Sequence, residues 1–160
     1  MIAQSDAPKL RPTLLCFLAL GGIWFTAPWP SLQAVFHAAL TLGFAPLESI
    51  PLMVGLWAVA AGWVAEGTLR MVPHPGGAAW ADLTLALAVY FLNRFWPPDR
   101  RLIWWARLAG FTLLHALLVH LAVALAAGSH AWGRGWFWAL LASPLWAMLA
   151  WRLKPPAHPR

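Results

Sequence analysis

The stretch Leu102–Ala127, LIWWARLAGFTLLHALLVHLAVALAA, decides the fold. It carries one charged residue, Arg107, and is otherwise almost wholly apolar. A run of about 20 apolar residues is long enough to cross the hydrocarbon of a bilayer as a helix. The rest of the chain has the same character. Of its 160 residues 61% are hydrophobic and 10% charged, against roughly 45–50% and 25% in a soluble domain. A soluble fold of this size cannot hide that much apolar surface, so the expected class is an all-α integral membrane protein.

Working outward from the long run, proline and glycine clusters punctuate further apolar segments. The expected spans are about 12–28, 32–44, 52–65, 79–95, 102–127 and 136–151, forming a single transmembrane domain. The second is short for a ~30 Å core at ~1.5 Å per residue, which implies burial by neighbours or extension at its ends. Lys9 and Arg11 before the first run give it the look of a secretory leader. No small-x-small cleavage site precedes Pro28, so it is read as the first span.

The net charge of +6 has no basic run interleaved with aromatics, so nucleic acid is not the expected partner. The basic residues sort by side instead. With six spans and the N-terminus inside, Lys9, Arg11, Arg94, Arg100, Arg101, Arg107, Arg152, Lys154 and Arg160 all fall on the inner side. Only Arg70 and Arg134 fall outside. That is the positive-inside pattern and predicts an N-in, C-in membrane protein. The tryptophans agree. Trp29, Trp80, Trp132 and Trp136 lie near outer ends, and Trp96, Trp104, Trp105 and Trp151 near inner ends, where indole suits the interface. Trp57, Trp63 and Trp146 lie deeper and suit gaps between helices.

Few residues suit chemistry. Cys16 has no second cysteine to pair with and reads as a small buried or lipid-facing residue. On the third span Gly55, Ala58, Gly62, Ala65 and Glu66 share one face. Small residues permit close helix approach in lipid. The face is either an intramolecular seam ending in a solvated Glu66 or a docking seam for a partner. Asp82, one turn into the fourth span, lies near Tyr90 and Asn93 and is shallow enough for water; it reads as an interfacial or helix-start residue, with a partner-binding role as the alternative. His115 and His120, five residues apart, point about 140° apart and cannot share a metal. His37 and His115, on different spans at similar depth, are either core histidines bonded to carbonyls or Thr112, or the two ligands of a haem. No HExxH, GxSxG or paired-carboxylate pattern appears, so no catalytic, metal or cofactor site is expected.

Three segments carry a resemblance. AALTLGFAPLESIPLMVGLWAVAAGWVAEGTL (Ala38–Leu69) has a short span, a Gly/Pro turn, and a Gly-x6-Gly span ending in an acid. GGAAWADLTLALAVYFLNRFW (Gly76–Trp96) follows a glycine turn and ends beside a basic residue. WALLASPLWAMLAWRLK (Trp138–Lys154) places a small residue and Pro144 before a basic end. Together they resemble MreD, the small membrane protein of the bacterial rod-shape system. Glu66 stands where that family more often has Asp, and His74-Pro75-Gly76-Gly77 replaces the common Pro-Leu-Gly. The resemblance implies a six-helix fold similar to the substrate-binding subunits of vitamin transporters. It implies a non-enzymatic scaffold of cell elongation and peptidoglycan synthesis, with no cofactor. Its partner would be MreC and, through it, RodA and a class B penicillin-binding transpeptidase. Two other classes remain: a substrate-binding subunit of an energy-coupling transporter, for which the spans offer few polar residues, and a haem- or pigment-binding subunit of an electron-transfer complex.

Overall fold

The computed structural model describes residues 12–69, 76–127 and 135–153. These residues form six α-helices and no strand. Helix α1 spans Pro12–Phe25, α2 Pro30–Ala38, α3 Pro51–Leu69, α4 Gly77–Phe95, α5 Arg101–Ala127 and α6 Gly135–Leu153. Lys9, Arg11, Arg70, Trp132, Arg134, Lys154 and Arg160, which entered the charge and tryptophan patterns, lie outside the described residues, as does the side chain of His120.

The short second segment is resolved by geometry. After α2 the chain widens into a π-helical turn, Ala39–Phe44, and tightens into a 3-10 turn, Ala45–Leu47. The helical path therefore runs from Pro30 to Leu47, and every residue from His37 to Leu47 is buried. Pro46 cannot donate a backbone hydrogen bond, so the α ladder has no reason to persist there. Gly43 lets the indole of Trp146 on α6 lie against the wide turn, 2.7 Å from where a Cβ would sit. The ends of other helices shift slightly. α1 stops at Phe25 rather than Pro28, and Thr26 bonds back to Gly22 O at 2.5 Å. α3 continues past Ala65 to Leu69, with Gly67 inside the helix.

The bundle is organised with polarity inward. Asp82, Glu66, His37, His115, Gln33, Thr41, Thr112 and Ser143 are buried, while Phe25, Leu52, Trp80, Trp96, Leu102 and Leu145 are each more than two-thirds exposed. An apolar exterior on this scale marks a surface meant for lipid or another protein. One helix among the described residues is long and apolar enough to cross a membrane by itself. It is α5, whose window Arg101–Val119 has a mean hydropathy of 1.6 and is 22% buried. α1 is apolar but only 14 residues long.

The tightest joint is between α3 and α4. A Cβ on Gly62 would lie 2.5 Å from Ala79 N and 2.9 Å from Ala78 C, backbone atoms that cannot move aside. A Cβ on Gly55 would meet only Leu83 Cδ1, at 3.2 Å. α6 holds α5 through its own flaw. Pro144 leaves Leu140 O without its usual donor, and Ser143 Oγ donates to that oxygen instead, at 2.7 Å. Trp105 Nε1 donates to Ser143 Oγ at 3.3 Å and Trp104 Nε1 to Ala147 O at 3.0 Å. Trp104 is therefore a buried tie between helices, not a belt residue. Trp63, expected to fill a gap, is 52% exposed, whereas Trp57 and Trp146 are buried as expected.

Gly62→Ala should lower stability by about 1–3 kcal/mol, the usual cost of overpacking, and Gly55→Ala by much less. Thermal unfolding of the two purified variants checks this; equal melting would show that the α3–α4 contact is looser than described.

Candidate functional site: a buried His–Asp–His cluster

Three helices each deliver one ionisable side chain to the same point. His37 comes from the last turn of α2, Asp82 from the second turn of α4 and His115 from the middle of α5. Asp82 has no exposed surface, and the two imidazoles are almost fully enclosed. His37 Nε2 lies 2.6 Å from Asp82 Oδ2, and His115 Nε2 lies 2.5 Å from Asp82 Oδ1. Each carboxylate oxygen thus accepts from a different ring. The rings meet edge to face, 4.8 Å between centroids and 82° between planes.

An ionised carboxylate only accepts, so both imidazoles present Nε2–H to it. A lone charge enclosed in protein is costly; a paired and hydrogen-bonded one is tolerated. The cluster can therefore hold α2, α4 and α5 in one register.

The same three residues are the one group among the described residues with ligand atoms close enough to embrace a metal ion, all within 4.8 Å. The fit is incomplete. Two ligands of a tetrahedral ion at ~2.0–2.1 Å sit about 3.3 Å apart. Here the nitrogen–oxygen separations are 2.5 and 2.6 Å, hydrogen-bond lengths. An ion would have to spread the three groups first.

Several expectations change. Asp82 is not an interfacial residue within reach of water and offers no surface to a partner. α2 and α5 enclose it. His37 and His115 bond to Asp82 rather than to carbonyls or to Thr112, whose hydroxyl donates to Leu108 O at 2.7 Å. The Nε2 atoms of both are engaged by the Asp82 carboxylate rather than directed at a haem iron. Tyr90 turns away and donates to Ser49 O at 3.2 Å. Cys16 is buried, as one of the two expected positions.

The small-residue face is resolved in favour of the intramolecular seam. Ala58, Gly62, Ala65 and Glu66 are buried, and Gly55 and Gly62 back onto α4. Glu66 is not solvated. Its carboxylate accepts from Gly76 N and Ala78 N, both at 2.6 Å. Those amides open α4, where no preceding turn can satisfy them, and a carboxylate there also meets the positive end of the helix dipole. Gly76 takes a φ of +111°, which suits glycine.

The polar ties unforeseen from sequence are Gln33 and Thr68. Gln33 Nε2 donates to Ile23 O at 3.1 Å and to Thr68 Oγ1 at 2.5 Å. One signal in the sequence could have found the main cluster. His37, Asp82 and His115 are ionisable groups on three separate spans, none with a charged neighbour on its own helix. Each needs a partner, and the other two are the partners available.

Comparison with protein-family models, with curated proteins and with solved structures returns no match.

Asp82→Ala, which strands two buried imidazoles, should cost about 3–5 kcal/mol. Replacing all three residues by leucine should recover most of that loss. If the triple variant melts as low as Asp82→Ala, the cluster is not the source of the penalty.

Proposed function

We propose that the chain is a six-span, N-in and C-in protein of a bacterial inner membrane. In this reading it acts as a non-enzymatic scaffold of the MreD kind, bound to an MreC-type partner during wall elongation. The α3–α4 hairpin carries this reading. The resemblance rests on an acid ending the third span and a glycine turn opening the fourth. In this chain those features are one device, in which Glu66 caps the helix that Gly76 introduces. A motif with a mechanical role explains why acid and glycine belong together.

The membrane reading draws support from two further facts. Large apolar side chains face outward while charged ones are enclosed. The described arginines cluster at one end: Arg94 closes α4, Arg101 opens α5 and Arg152 lies in the last turn of α6. That end is the expected inner face. With the small-residue face consumed by α4, a partner has the outer face of α3 available, where Leu52, Leu56 and Trp63 are exposed. α5 offers a second apolar face through Leu113, Leu114 and Leu117.

A reporter fused after Arg160 should be cytoplasmic and one inserted between Gly67 and Gly77 periplasmic. An MreC-type protein should co-purify in mild detergent, and Leu56→Arg or Trp63→Arg should abolish its recovery while leaving the melting temperature within a few degrees. Recovery of the folded chain without any such partner would count against the scaffold reading.

A further inference from the structure

At the arginine-rich end a cleft of about 60 Å³ opens between the start of α5 and the end of α6. It is lined by Arg101 and Arg152, together with Trp104, Trp105 and Trp151. Its floor is set by the pair Trp104–Trp151, 5.7 Å apart and edge to face, and by the tie from Trp104 to Ala147 O. The cleft is therefore framed by fixed side chains. Neither Arg101 nor Arg152 has a carboxylate partner among the described residues, whose ion pairs are those of Asp82 with the two histidines. Arg107, by contrast, is already engaged, with Nη1 at 2.5 Å from Trp96 O.

The dimensions select the guest. At roughly 15 Å³ per water position, the cleft takes about four waters, or one phosphate group in their place. Two guanidiniums suit the oxygens of a phosphodiester. The surroundings select its source. Arg152, Met148, Leu145 and Leu141 follow one another at spacings of four, three and four residues, a single stripe along α6. The three apolar members are 55%, 69% and 55% exposed. A charged mouth above an exposed apolar stripe matches a headgroup above its acyl chains. Tryptophans at that level match the interfacial region.

We propose that this cleft binds the phosphate of an anionic phospholipid, such as phosphatidylglycerol, in the inner leaflet. Arg101 and Arg152 hold the phosphodiester, and the Met148–Leu145–Leu141 stripe carries one acyl chain. The proposal rests on the membrane reading above but not on the scaffold role. Basic pockets between membrane helices on the cytoplasmic side are a known means of holding such headgroups.

The test uses the full chain purified in a neutral detergent. Phosphatidylglycerol should raise its melting temperature in a saturable way. Phosphatidylcholine at the same concentration should do so at least fivefold more weakly, and inorganic phosphate should have no effect. Arg101→Gln/Arg152→Gln should weaken the phosphatidylglycerol response at least fivefold, whereas Arg94→Gln, at the same end but outside the cleft, should leave it intact. Native mass spectrometry of the unaltered protein asks the question without any variant; retained anionic lipid in preference to zwitterionic lipid is expected. Equal response to both lipids, an unchanged double variant, or stabilisation by phosphate alone would each overturn the proposal. Recovery of folded protein from the aqueous fraction without detergent would instead overturn the membrane reading beneath it.

Discussion

Asp82 is a carboxylate with no exposed surface, and the arrangement of the bundle follows from satisfying it. A charge enclosed by helices is tolerated only when paired and hydrogen-bonded, so its partners must come from the neighbouring helices. Two imidazoles supply them, one from α2 and one from α5. That single requirement brings three helices together at one level. The neighbouring helix α3 is drawn in by a different force, the near contact of its Gly62 with the α4 backbone.

The same economy recurs at smaller scale. Several polar groups inside the bundle answer a specific vacancy in the backbone ladder or in another side chain. Glu66 takes up the amides that open α4. Ser143 takes up the carbonyl that Pro144 leaves without a donor. Gln33 links α1 to α3 through Ile23 O and Thr68. Thr41 Oγ1, Trp57 Nε1 and Trp146 Nε1 are the buried polar atoms among the described residues without a partner. Thr41 lies in the π-helical turn and Trp146 packs against it. The loosest polar accounting in the bundle therefore falls where its helical geometry is least regular, a place where such irregularity often marks function.

Much of the fold is written locally. Apolar runs bounded by Pro28, Pro51, Gly76, Pro97 and Gly135 give the helices, because helix length and breakers act over a few residues. The α→π→3-10 passage was legible only as a run too short for its task. The side-chain cluster is another matter. His37 and Asp82 are 45 residues apart and Asp82 and His115 are 33 apart, so their meeting depends on the order in which helices pack. Counting Asp82 from the end of its own helix put it near water. What that count missed is that neighbouring helices roof it over. Glu66 was misplaced for the same reason, since its role depends on where α4 begins rather than on α3.

The cluster also has a history within each molecule. A ribosome extends the chain at roughly 5–20 residues per second, so α2 and α4 exist before α5 does. His37 and Asp82 can join as soon as α4 enters, but Oδ1 of Asp82 lacks its second imidazole until 33 more residues have been made. At that rate about two to seven seconds separate the synthesis of Asp82 from that of its second donor. The fifth helix is therefore the one whose arrival completes the cluster.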